Sequence, residues 1–202
     1  MVSMPNVLYQ RGRPILNDQV SVSRYGKKAI AFVEYGDSFW TVDVETQPLY
    51  DFQLAQVMAF ISQVKKGNET VVFNPIDKTV PQAYWDDPTN PIPNDNGTLG
   101  PVTNGKTAVI QNISPGLILM PDDKISFASG AYRQFVRVIT GATAVSTQMT
   151  VTVDPPIMSY ITSGATVKFK NPEMNTRMVP GSFQLGDEPL PTVSFQLIEV
   201  PQ

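Results

Sequence analysis

The chain reads as a mainly β protein: a β-sandwich with one α-helix, interrupted by an inserted small, OB-like β-barrel. Three observations predict this class. Short β-branched runs recur between residues 20 and 73 and again between 117 and 170, each ended by Gly, Pro, Asn or Asp. Only the stretch from about 48 to 66 sets apolar residues at convincing helical spacing. Eighteen prolines and 13 glycines in 202 residues suit a turn-rich β fold, and a hydrophobic content of 42% is ordinary for a folded chain.

Residues 1–19 carry Pro5, Arg11, Gly12, Arg13 and Pro14 and read as an extended polar arm for a neighbour to pin. Strands are expected at 20–24, 29–35 and 39–45. In the third run Trp40, Val42 and Val44 alternate with Thr41, Asp43 and Glu45, the period-two mark of a half-buried strand. Tyr35-Gly36-Asp37-Ser38 between the second and third runs signals a hairpin. In the helix, Pro48 suits the first turn, Lys65 and Lys66 the negative end of the dipole, and Gly67 the left-handed stop. Tyr50, Leu54, Val57, Phe60, Ile61 and Val64 make the stripe that lies on the sheet. Phe52, Ala55 and Ala59 fall on another side, as either a subunit contact or the flank of the same core.

Val71-Val72-Phe73 gives a further strand, ended by Asn74-Pro75. Residues 81–105, with Pro81, Pro88, Pro91, Pro93 and Pro101, read as a long irregular connection. The inserted module supplies runs at 117–120, 124–127, 132–139, 148–153 and 165–170. In residues 192–199, Val193, Phe195 and Leu197 alternate with Ser194, Gln196 and Ile198, a strand that completes the first sheet. The expected domains are therefore 1–82 plus 179–202 for the sandwich and 83–178 for the barrel.

Composition narrows the chemistry. The chain has no cysteine, which excludes disulfides, thiolate nucleophiles and cysteine metal sites. It has no histidine, so the usual proton shuttle near neutral pH and the commonest metal ligand are missing. A formal charge of −3 offers no broad attraction to phosphate backbones or anionic membranes. Residues 1–17 lack an apolar core of signal-peptide length and no window approaches a membrane span, so a soluble chain made in a cytoplasm is expected.

No motif survives its context. Gly100, Gly105, Lys106 and Thr107 fit a phosphate-loop spacing, but the flanking residues do not supply the buried strand and following helix that such a loop needs. Asn94-Asp95-Asn96-Gly97 lacks the acidic ends of a calcium loop. Asp86-Asp87 and Asp122-Asp123 lie in turn contexts and read as solvated charge rather than a glycosidase pair. Residues 86–178 hold seven basic and seven acidic side chains, leaving no surplus to drive nucleic-acid binding. No catalytic residue, cofactor or metal site is therefore expected. Tyr84-Trp85 reads as an anchor at the domain junction, with Trp85 also a candidate glycan contact.

The layout resembles the distal tail proteins of long-tailed bacteriophages. Phe60-Ile61-Ser62, Gly67 and Val72-Phe73-Asn74-Pro75 resemble that family's helix end, glycine stop and following strand. Pro121-Asp122-Asp123-Lys124-Ile125-Ser126-Phe127, Val136-Arg137-Val138, the 150–157 run and Gly164-Ala165-Thr166-Val167 resemble its inserted module in order. The likeness covers most of residues 28–200, and the order of the motifs carries it. It implies a structural virion protein without enzymatic activity, forming a hexameric ring at the distal end of the tail tube. Such a ring would join the tube protein to tip or baseplate hub proteins, with DNA crossing its lumen unbound. The alternative is a carbohydrate-binding adhesion module of a phage tail.

Overall fold

The computed structural model describes residues 1–25, 29–76 and 79–202. In chain order, β1 (Val2–Ser3), β2 (Tyr9–Arg11), β3 (Pro14–Asn17), β4 (Val20–Tyr25), β5 (Ala29–Glu34) and β6 (Phe39–Thr46) precede helix α1 (Asp51–Val64) and β7 (Val71–Phe73). The middle of the chain forms β8 (Gly97–Thr103), β9 (Thr107–Gln111), β10 (Ile118–Leu119), β11 (Lys124–Ser129), β12 (Tyr132–Thr140), β13 (Ala142–Thr143), β14 (Gln148–Asp154) and β15 (Thr166–Lys168). The chain then closes with β16 (Met174–Met178), β17 (Gln184–Leu185) and β18 (Val193–Glu199).

The sandwich is an eight-stranded sheet in the order β1-β7-β16-β18-β6-β2, with β17 also on β18 and β3 also on β6. Its core follows from alternation. Trp40, Val42 and Val44 of β6 and Val193, Phe195 and Leu197 of β18 are all buried, and the two strands pair in antiparallel register. Val57, Phe60, Ile61 and Val64 of α1 close this core. Gly67 ends the helix in the left-handed conformation (φ +69°), donating its N–H to Val64, as a glycine stop requires. The helix begins at Asp51 rather than near Pro48, with Tyr50 at the extended cap position and Gln53 Oε1 accepting the Tyr50 N–H. Tyr50 therefore leaves the expected stripe and stands in solvent.

The insertion closes into a barrel of six strands, β11-β12-β14-β9-β8-β15, around Leu99, Ile110, Phe127, Val136, Val151 and Val167. The mainly β class, the single helix and the inserted small barrel are all present. Four expectations change in detail.

Residues 97–103 form a barrel strand instead of part of a long loop. A Cβ on Gly97 would come within 2.8 Å of Ile110 and Ile113, so glycine here permits packing inside a narrow barrel. Gly100-Pro101 falls at a break in the β8–β9 register, where a bulge tolerates both residues. Met174–Met178 pairs with β7 and β18, so it belongs to the sandwich and not to the 83–178 segment. Residues 1–19 are held by their own sheet through β1, β2 and β3. Finally, β5 does not form a hairpin with β6. It pairs with β4 in a separate two-stranded ribbon, and 35–38 is the corner at the ribbon's root.

Candidate interaction surfaces

The two domains are joined by a small aromatic lock. On β12, Gln134, Val136 and Val138 face the barrel interior while Phe135 points outward, and its ring is buried in the sandwich core. Phe135 meets Trp40 edge-to-face at 5.3 Å, and Trp40 Nε1 donates to the Phe135 carbonyl at 2.8 Å. Lys124 Nζ stands 5.9 Å from the centroid of the same indole.

Glu199 completes the lock. Its carboxylate accepts backbone N–H groups from Trp40 of the sandwich and Phe135 of the barrel, the former at 3.1 Å. Burial pushes its pKa up to about 7, and the two donors only partly oppose that rise. The signal was present in the sequence: position 199 continues the core face of Val193, Phe195 and Leu197, where a carboxylate is out of place.

Beside this lock lies a cleft of about 580 Å³, whose lining includes Arg13, Gln82, Trp85, Asp122 and Arg137. Tyr84 and Trp85 divide their expected roles. Tyr84 is buried in the barrel core and its hydroxyl accepts the Ile118 N–H at 3.0 Å, so it is the anchor. Trp85 is 46% exposed, with Nε1 bonded to the Val80 carbonyl at 3.1 Å. The neighbouring polar groups are already engaged. Asp122 holds Lys124 at 2.6 Å, Arg137 holds Asp154 at 2.7 Å, and Gln82 Nε2 donates to the Pro121 carbonyl. Asp123 is buried and accepts the Gln82 and Met120 N–H groups, fastening the 82–85 turn to the barrel; burial raises its pKa.

Among the described residues, two exposed apolar surfaces stand out. The first is the β4–β5 ribbon, which continues the β3–β6 ladder past Asn17 and Phe39 through a Tyr35 N–H to Gln19 carbonyl bond. Its register puts Val20, Val22, Ile30 and Phe32 on one face, with Val22 58% and Phe32 69% exposed. The opposite face is open too, since Val33 is exposed. The second is the helix flank. Phe52 is 74% exposed, and Ala55 and Ala59 are also exposed, so these three are not the edge of the sandwich core.

The motif residues are dispersed. Lys106 stands exposed in the β8–β9 turn, and Thr107 opens a strand where a phosphate loop requires a helix. Among the described residues, no group of three or more Asp and Glu is placed to hold a metal ion, and no helix is long and apolar enough to cross a membrane. Compared with protein families and with curated proteins, the chain matches none.

Proposed function

We propose that this chain is a structural, non-enzymatic protein that assembles into a ring, a hexamer by the resemblance, at the distal end of a phage tail tube. The sandwich would build the ring, and the barrel would project outward. The tube protein would lie on one side and the tip or baseplate hub on the other, with DNA passing through the lumen without specific contacts. Its place of action would be the virion tail, after synthesis in the bacterial cytoplasm.

One observation carries this reading: a ribbon that, among the described residues, leaves Val20, Val22, Ile30 and Phe32 exposed on one face. Two strands alone are marginal in water, and contiguous exposed apolar surface marks an interaction site. Contacts repeated head to tail around an axis would bury such surfaces on every copy. The order of turn and strand motifs, which resembles distal tail proteins, specifies the kind of ring. Light scattering after size-exclusion chromatography, with electron micrographs of the same fractions, tests it. A closed ring is expected. Monomer alone, at concentrations approaching those of an assembled tail, overturns it.

A second reading, glycan adhesion, is favoured by the Trp85 ring at the rim of the cleft. Glycan-array binding that disappears in Trp85→Ala supports it, and the absence of any glycan signal ends it.

A further inference from the structure

We infer that the β4–β5 ribbon of one copy docks across the end of the next copy where α1 begins against the 186–192 loop. This rests on the self-assembly proposed above and names the two surfaces that meet.

The recipient surface is built by chain crossing. The Leu49 N–H donates to the Pro191 carbonyl at 3.0 Å, and the Gly186 N–H donates to the Thr192 carbonyl, so the loop is folded against the helix start. Tyr50, Phe52 and Leu190 are exposed there, and so are Asp51, Asp187 and Glu188. Residues 46–64 and 184–192 contain these three acids and no basic residue. None of the three forms an ion pair among the described residues.

The ribbon is the complement. Its apolar face carries Arg24 beside Ile30, and Arg24 is exposed without an ion pair among the described residues. Glu34 pairs with Val20 at the root, and Asp18 and Asp37 flank it in sequence. Away from the root the described face sets the unpaired charge of Arg24 among apolar side chains, and the recipient surface is apolar and acidic.

Topology makes the contact intermolecular. The ribbon leaves the sandwich where β6 starts, at Phe39, whereas the recipient surface lies beyond Thr46, where β6 ends. Eight strand residues separate those ends by about 26 Å, and six extended residues carry the ribbon about 20 Å outward. Donor and recipient thus lie at opposite ends of one molecule. In the ring proposed above such a pair repeats head to tail; a two-fold dimer in which each ribbon docks on the other copy is the competing arrangement.

The chain has no cysteine, so single cysteines report proximity cleanly. Val22→Cys mixed with Tyr50→Cys under mild oxidation is expected to give a cross-linked dimer, and neither variant alone should do so. The variant carrying both should give a ladder that ends at one closed size. Phe32→Asp should raise the concentration for half-assembly by roughly tenfold or more, because it places a charge in the centre of the contact. Phe32 is solvent-exposed, so monomer melting should not move. Self-linking of Val22→Cys alone, or assembly unchanged in Phe32→Asp, overturns this docking and leaves the ring standing. A wild-type chain that never assembles removes both.

Discussion

Glu199→Gln tests the domain junction through pH. Glu199 is a core-face carboxylate whose folded pKa stands near 7 against an ordinary 4.5. Between those values the unfolded chain has already lost the proton that the folded chain keeps. Raising pH from 4.5 to 7 therefore favours unfolding, at about 1.4 kcal/mol per pH unit. The full interval amounts to about 3 kcal/mol, reduced toward about 2 by the solvent contact the side chain retains. The glutamine oxygen accepts the same Trp40 and Phe135 N–H groups and carries no charge. Urea unfolding of both proteins at pH 5 and at pH 8 measures the effect. The wild type should lose about 1.5–2.5 kcal/mol across that range relative to the variant, and the two should converge as pH falls below 4.5. Taking the difference cancels the other carboxylates. One of these is Glu173, which is depressed by its bonds to Lys168 and Arg133 despite partial burial, and whose contribution disappears only in more acidic solution. Parallel pH profiles for the two proteins would refute the argument.

Three further outcomes follow from the packing. Phe135→Ala removes a buried ring from the sandwich core and should cost about 3–5 kcal/mol, with calorimetry resolving the barrel and the sandwich as separate transitions. Gly97→Ala forces a methyl against Ile110 and Ile113 and should cost about 1–3 kcal/mol in thermal unfolding. Phe52→Ser should leave monomer stability within about 0.5 kcal/mol while weakening assembly measured by sedimentation, since the side chain contacts solvent in a single copy.

Much of the sandwich was legible because alternation reports burial directly. The faces of β6 and β18 and the buried helix stripe follow from spacing, apart from Tyr50, which the cap turns aside. Pairing partners were not legible. Residues 20–24 and 29–35 have the pattern of sheet strands, yet nothing in a pattern says whether a sheet lies beneath them. The N-terminal segment misled in the opposite sense. Its prolines and charges look like those of a loop, but edge strands tolerate both, so residues 9–17 stay on the main sheet while 20–25 and 29–34 pair apart from it. In 97–103, glycine and proline read as a turn because their reason is tertiary: the width of the barrel and a bulge. Of the named surface residues, Phe52, Ala55 and Ala59 are exposed. Trp85 is exposed at a cleft whose lining also brings in residues distant in sequence, among them Arg13, Asp122 and Arg137.

The path into the barrel and the path out run side by side. The Asn171 N–H donates to the Thr79 carbonyl at 2.7 Å, and Asn74 Nδ2 reaches the carbonyls of Asn171 and Pro172. Cutting at that staple would free a cassette while leaving β7 and β16 still paired. A foreign module with similarly spaced ends could be grafted there, provided it presents an aromatic plug for the Trp40 socket.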